Sequence, residues 1–291
     1  MNRLPSRISC SGGISRKRKN RRLKKNWNCK KQSALINHLN KAKMKRLQDK
    51  VVFITGGNSG IGKASALEAA REGATVVIAD LPGKDHHQTI LDIEALGAPC
   101  IFVPIDVSDV ESVKKAISAT VEKYGRLDVA FNNAGIGGVY SGIHDMSEVL
   151  WDTLIAVNLT GQFYCVKYEL QQFLKQGGGV IVNMSSLGGL KAEHGLVPYT
   201  VAKHGVLGLT KNIAVQYGHQ NIRGNAICPY YVETPLLGAA PQEVHQAWID
   251  GTPAKRLCTP EEVAKTFIFL ACDDSSYCNG TQIILDGGVL A

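Results

Sequence analysis

The chain has 291 residues, of which 44% are hydrophobic and 20% charged; this is ordinary for a globular protein and excludes low-complexity and fibrous architectures. It contains no stretch of about eighteen apolar residues, so no transmembrane helix is predicted, and its length allows a full core without disulfides or metals. The formal charge of +8 is divided unequally: residues 1–46 hold 16 of the 33 Lys and Arg and none of the 25 Asp and Glu, which leaves 17 basic against 25 acidic side chains, or −8, in the rest.

Residues 1–46 form a basic extension whose sparse hydrophobics and crowded like charges predict disorder. The cluster at residues 16–22 is compatible with nucleic-acid contact or a nuclear address. The acid-free, Ser- and Arg-containing composition has something of an organelle transit peptide, and anionic lipid is a third target. A solvated tail, or upstream sequence before a start at Met44, is favoured over all three. Eight scattered cysteines in a long chain read as the reduced thiols of a cytoplasmic protein. Cys272 and Cys278 have no second closely spaced Cys/His pair to complete a zinc site, so no metal is expected.

Beyond the extension, short β-branched runs alternate with helical patterns. Residues 51–55 (VVFIT) read as a buried strand, 60–72 as a helix stopped by Gly73, and 75–79 (TVVIA) as a second strand. Residues 84–96 look helical and end at Gly97; 100–104 form a third strand. A helix over 109–124, capped by Asp109 or Ser108 and ended by Gly125, leads to a strand at 127–132. Residues 147–176 hold a long helix, interrupted or bent near its middle, followed by a strand at 180–184. A helix over 198–218, a strand at 222–227, a helix over 260–272 and a strand at 282–285 complete the series. Residues 229–259 show no clear period and read as a mobile lid or substrate loop. The fold class is therefore α/β: a Rossmann-like, doubly wound parallel sheet of about seven strands with helices on both faces, in a single domain over 47–291.

The first strand runs straight into Thr55-Gly56-Gly57-Asn58-Ser59-Gly60-Ile61-Gly62. Glycines there let the backbone turn tightly against a pyrophosphate, and the helix that follows offers free N–H groups and a positive dipole end. A glycine loop alone also fits a plain tight turn; its place between a buried strand and a helix favours a nucleotide. Asp80 ends the second strand, where a carboxylate accepts hydrogen bonds from ribose hydroxyls and repels a 2′-phosphate. Leu81 follows it and Ser59 precedes Gly60, so no basic residue awaits that phosphate, and NAD is favoured over NADP as cofactor.

With these come Asp106 in IDVSD, NNAG at 132–135, Asn158 in VNLTG, Ser186 in VNMSS, Tyr199-x-x-x-Lys203 and Asp286-Gly287-Gly288. In this order and spacing, residues 47–291 resemble the classical short-chain dehydrogenase/reductase family. The resemblance implies that Asp106 and Val107 contact the adenine. It places Asn133, Ala134 and Gly135 beside the cofactor, with Asn132 as support for the sheet. It implies that Thr234 bonds the nicotinamide carboxamide and that the Pro229 and Val232 backbone orients the ring. It also implies a homodimer or homotetramer built on the helices that carry Asn158 and Tyr199. One position departs from the family: Tyr230 stands where the family has Gly, which would strain the backbone if that position needs a positive φ.

Tyr199 and Lys203 are four apart on a predicted helix and share a face. Interconverting an alcohol and a ketone requires a group that gives or takes the hydroxyl proton. A tyrosine titrates near pH ~10, and an adjacent Lys⁺ together with an oxidised nicotinamide is expected to lower that value. Ser186, thirteen residues before Tyr199, is the candidate for holding the substrate oxygen, with Ser185 the weaker choice. Asn158 would bend its helix and hold a water that links Lys203 to solvent. The catalytic set is thus Asn158, Ser186, Tyr199 and Lys203. Substrate contacts are expected from residues 137–144, 187–197 and 230–248, including Tyr140, His144, His194, Tyr231 and Trp248. The expected activity is NAD(H)-dependent interconversion of a secondary alcohol and a ketone on a small-molecule substrate. The alternatives are an NADP-linked 3-oxoacyl thioester reductase and a non-catalytic nucleotide sensor or nucleic-acid-binding protein.

Overall fold

Strand β1 (Val51–Thr55) is buried at every residue because its two faces enter different cores. Val52 and Ile54 pack into one and Val51 and Phe53 into the other, the period-two alternation of a strand covered on both sides. The structure, a computed structural model, describes residues 45–83, 85–238 and 240–291. The further strands are β2 (Thr75–Asp80), β3 (Cys100–Pro104), β4 (Val129–Asn132), β5 (Gly179–Met184), β6 (Ile222–Pro229) and β7 (Gln282–Leu285). They form one parallel sheet of seven strands in the order β3-β2-β1-β4-β5-β6-β7, as the alternating pattern predicts.

The helices are α1 (Gly60–Arg71), α2 (His87–Glu94), α3 (Val110–Tyr124), α4 (Glu148–Ile155), α5 (Gly161–Gln176), α6 (Val197–Tyr217), α7 (Gln242–Gly251) and α8 (Pro260–Ala271). On one face, Ala66, Ala69 and Ala70 of α1 pack with Val263, Phe267 and Ile268 of α8. Phe267 stacks on Phe131 of β4, with centroids 4.4 Å apart. On the other face, Val113 and Ile117 of α3 meet Val166 and Phe173 of α5. Local signals set the helix ends. Asp109 caps α3 by accepting from Glu111 N, Gly125 closes α3 at φ 76°, and Thr259 and Glu262 form a capping box at the start of α8.

One expectation is met in detail and two need correction. The long helix over 147–176 is α4 and α5 joined by a π-helical turn at Ala156–Thr160, and this turn is the physical form of the predicted bend. Residues 229–259 are not all loop: they contain α7, whose apolar positions Val244, Trp248 and Ile249 span little more than one turn and so set up no clear period in the sequence. The helix expected over 84–96 is confined to His87–Glu94. The disorder expected of residues 1–46 lies outside the described residues except at its last two positions. Residues 46–291 cluster as one compact unit. Among the described residues, no helix is long and apolar enough to cross a membrane, and no group of His, Cys, Asp and Glu is arranged to hold a metal.

A polar chain crosses the core behind the strand ends. The Asn132 side-chain amide donates to Glu169 Oε2 at 3.0 Å and to Asn183 Oδ1 at 3.1 Å. Asn183 in turn donates to Thr210 Oγ1 at 2.9 Å. Glu169 is fully buried on α5, and burial pushes its carboxyl up to about 8 against the lowering effect of the Asn132 bond. In the unfolded chain this carboxyl loses its proton near the ordinary 4.5, so between there and about 8 the native state binds the extra proton. Stability contributed by Glu169 is therefore present in full below about 4.5 and is lost as pH rises towards about 8. Glu169→Gln should remove this dependence, so its thermal midpoint should gain on the wild type between pH 5 and 8.5. Parallel midpoints across that range would show that Glu169 is not held neutral.

Candidate active site

The strand order reverses between β1 and β4, and the loops leaving these strands diverge at their carboxyl ends. Thr55 ties the two loops together: its hydroxyl accepts from Asn133 N and Ala134 N, both at 3.0 Å, and Asn133 Nδ2 returns a bond to Thr55 O at 2.9 Å. A cavity of about 920 Å³ opens above this junction.

One half of the cavity is lined by Gly56, Ser59, Gly60 and Ile61 of the first loop, Asp80 and Leu81 after β2, and Asp106 and Val107 after β3. Asn133, Ala134 and Gly135 line it from β4. The glycine loop is wound too tightly for side chains at its hinge. A Cβ on Gly62 would stand 2.0 Å from Gly56 O, and Gly56 itself has φ 63°. Asp80 is buried and oriented, with Oδ2 accepting from Asn58 N at 3.1 Å and Oδ1 from Leu81 N at 2.8 Å. Asp106 Oδ1 accepts from the Ser108 backbone and hydroxyl, which fixes the turn after β3. Two residues expected at the cofactor, Asn58 and Gly62, do not line the cavity. Asn58 holds the loop to Asp80 and to Asp85 O, and Gly62 packs against the loop from behind.

The loop after β6 closes this half from above. Pro229, Val232 and Thr234 line the cavity, and Thr234 Cγ2 lies within 3.3 Å of where a Gly60 Cβ would be. Val232 forms a parallel bridge with Cys258, which anchors the loop to the chain entering α8. Tyr230 carries none of the strain that a positive φ would bring, because it is absent from the residues in that region. Its N–H bonds Leu285 O at 2.9 Å as an extension of the β6–β7 ladder, and its ring faces the cavity.

Ser186, Tyr199 and Lys203 meet in the other half. Ser186 leaves β5 as the N-cap of the 3₁₀ turn Leu187–Gly189, its oxygen accepting from Gly188 N at 3.1 Å, and it stands close enough to the Tyr199 phenol to hold its pKa down. Ser185 uses its hydroxyl on Lys203 O at 2.9 Å, which leaves Ser186 as the serine that faces the phenol. Lys203 Nζ lies 5.6 Å from the Tyr199 ring centroid and donates to Met184 O at 2.9 Å. Asn158 sits in the π-helical turn, where its side chain donates to Ile136 O at 2.9 Å and accepts from Ile136 N at 2.8 Å. It is fully buried and outside the cavity lining, so its side chain positions the Gly135–Ile136 loop before it can serve any water. A Cβ on Gly135 would meet Asn158 Oδ1 at 2.9 Å and Lys203 Nζ at 3.7 Å, so both polar heads crowd this glycine.

The lowering expected for Tyr199 is not a property of the protein by itself. Burial raises the phenol, the nearby Ser186 hydroxyl opposes that rise, and the negative charge of Glu193 adds to it. Lys203 is brought down to about 8, because the same burial disfavours its ammonium. His144 and His194 are exposed and do not line the cavity. Glu193, Leu196 and Leu236 do line it, and no spacing in the sequence singles them out.

A family model described as enoyl-(acyl carrier protein) reductase matches residues 56–290. The chain is 39% identical over 245 residues to the 3-oxoacyl-[acyl-carrier-protein] reductase of Thermotoga maritima, covering 84% of this chain and 99% of that one. It is 39% identical over 242 residues to the cyclohexanol dehydrogenase of an Acinetobacter species, covering 83% and 95%. The crystal structure of carveol dehydrogenase from Mycobacterium avium in complex with NAD superposes with a TM-score of 0.79 at 30% identity, covering 84% of this chain and 99% of that one.

Asn158→Ala would leave both backbone groups of Ile136 without their side-chain partner. The thermal midpoint should fall by about 5 °C. An unchanged midpoint would mean that water replaces the amide at no cost.

Proposed function

The chain belongs to the classical short-chain dehydrogenase/reductase family and is an oxidoreductase acting on alcohols and carbonyls; within that family we propose that it is NAD-linked and interconverts a secondary alcohol and a ketone with Tyr199 as acid/base. The observation that carries the reading is the meeting of Ser186, Tyr199 and Lys203 at one end of a cavity whose other end is the glycine loop and Asp80. The tight Gly56–Gly62 hinge and the helix start behind it suit a pyrophosphate. Asp80 at the end of β2 suits the two ribose hydroxyls, and Asp106 and Val107 suit the adenine. The nicotinamide, when bound, accepts or supplies the hydride.

Ser186 holds the substrate oxygen beside the phenol. Tyr199 takes the hydroxyl proton in oxidation and returns it in reduction. A phenol raised by burial is well suited to donating; serving as a base requires positive charge nearby, from Lys203 and from the oxidised ring. Lys203, fixed by Met184 O, would hold the nicotinamide ribose and keep that charge in place. Thr234, with the Pro229 and Val232 backbone, would orient the carboxamide. The bond pair from Asn158 to Ile136 holds Gly135 against the cofactor path, and any relay water would sit between Asn158 and Lys203. Self-association as a dimer or tetramer is supported by apolar side chains exposed on α5 and α6, among them Phe163, Leu174, Val201 and Val215.

A second reading, an NADP-linked 3-oxoacyl thioester reductase, is favoured by the 39% identity to the Thermotoga maritima enzyme. Asp80 and Leu81 oppose it, since the one repels a 2′-phosphate and the other offers it no charge. The test is reduction of NAD⁺ and of NADP⁺ in parallel across secondary alcohols and 3-hydroxyacyl thioesters. Turnover with NAD⁺ and simple alcohols is expected; turnover restricted to NADP⁺ and thioesters selects the second reading. Tyr199→Phe should lower turnover by about 10²–10⁴-fold while NADH binding is nearly unchanged. Asp80→Ala should weaken NAD⁺ about tenfold or more and raise the NADP⁺/NAD⁺ ratio. A constant ratio would remove Asp80 from the ribose.

A further inference from the structure

The cavity beyond Ser186 and Tyr199 is walled by side chains that the proton and hydride steps do not use. Leu196, Leu236 and Val244 make it apolar. Tyr231 is clamped in an aromatic stack, its ring 4.3 Å from Tyr230 at 55° and 4.3 Å from Trp248 at 20°. Its hydroxyl reaches Glu193 Oε2 at 3.5 Å.

Glu193 is the acidic residue of this half, since the other two carboxylates lining the cavity, Asp80 and Asp106, belong to the nucleotide half. Among the described residues no arginine lines the cavity, and Lys203 is its one lysine, already bonded to Met184 O. Glu193 is half-buried, and burial raises its carboxyl against the nearby charge of Lys191 and the bond from Tyr231. Lys191 Nζ rests over the Tyr230 ring, 5.6 Å from its centroid. A carboxylate has about four acceptor positions. One bond at the 3.5 Å limit leaves most of that capacity open towards the cavity.

We propose that Glu193, backed by Tyr231, is a specificity residue that accepts a hydrogen bond from a hydroxyl carried by the substrate away from its reacting carbon. The substrates are then apolar alcohols or ketones with a second hydroxyl. Carboxylates and phosphates are disfavoured, because they would face Glu193 in an apolar pocket whose one described lining cation, Lys203, is already bonded to Met184 O, while Lys191 is held beside Glu193 and the Tyr230 ring. The assignment rests on the oxidoreductase reading for the position of the reacting carbon, beside Tyr199.

The test is calorimetric titration of the full chain loaded with NAD⁺, to which a ketone cannot pass a hydride. Cyclohexanone, 4-hydroxy-4-methylcyclohexanone, whose tertiary alcohol has no hydride to give either, and 4-oxocyclohexanecarboxylate are compared. The hydroxyketone should bind about tenfold tighter than cyclohexanone, the gain of one hydrogen bond to a charged acceptor, and the carboxylate more weakly than either. Glu193→Leu should erase the hydroxyl advantage and leave cyclohexanone affinity nearly unchanged; Glu193→Gln, which keeps an acceptor oxygen, should retain part of it. A second readout is the pH at which NAD⁺ reduction half-rises. The groups facing Glu193 are Lys191, Tyr199, Tyr230 and Tyr231, and removing its charge relieves the rise it imposes on Tyr199. Glu193→Gln should therefore move that pH down. Equal affinity for the two neutral ketones, an advantage that survives Glu193→Leu, or no binding by any of the three overturns the proposal. Glu193-dependent binding without NAD⁺ reduction by any alcohol would support it and count against the dehydrogenase reading instead.

Discussion

The close approach of backbone to backbone at the first turn constrains the rest of the site. Gly62 lies so near Gly56 O that a Cβ would stand 2.0 Å from it, and this contact presses the start of α1 onto the end of β1. Because the turn is tight, its loop runs along the sheet end where Asp80 accepts Asn58 N. Because β1 is the strand at which the order reverses, Thr55 can bond the loop that leaves β4. The same loop reaches Gly135 and Ile136, which Asn158 grips from the π-helical turn. One backbone contact thus links the nucleotide end of the cavity to the proton-transfer end.

The buried polar chain Glu169–Asn132–Asn183–Thr210 is the counterpart of that constraint within the layers. It joins β4, β5, α5 and α6, the elements that deliver Asn133, Ser186 and Tyr199 to the cavity. Its three bonds tie the four elements together in a directional way that apolar packing does not, although Asn132 Oδ1 and Glu169 Oε1 are buried with no partner. Ser186, Tyr199 and Lys203 are the cluster proposed to carry the chemistry, and Glu193, Tyr231 and Trp248 line the cavity beyond it.

Much of this was legible in the sequence, for identifiable reasons. Strands such as VVFIT and TVVIA are β-branched and buried on both faces, so they read as short apolar runs between turn residues. The helices with a clear stop, such as α3 at Gly125, were placed well, whereas α7 was missed because its apolar positions span little more than one turn. Tyr199, Lys203 and Ser186 were legible because a helix turn and a strand end fix their separation. Glu169 was not, since a glutamate in a helix reads as a surface residue and its partners Asn132 and Asn183 come from two different strands. Glu193 was hidden for the same reason: its role depends on Tyr231, 38 residues away, and on a loop whose path the local sequence does not dictate. The concern over Tyr230 dissolved because the strand ladder, and not a left-handed turn, continues through that position.

The central claim is direct hydride transfer between a carbinol carbon and NAD⁺ in the cavity that joins Asp80 to Tyr199. The most direct test is to oxidise cyclohexanol deuterated at the carbon that bears the hydroxyl and to read the NADH formed by proton NMR. The account predicts one deuterium at C4 of the nicotinamide, on a single face. NADH without deuterium, or with deuterium divided between both faces, would contradict it.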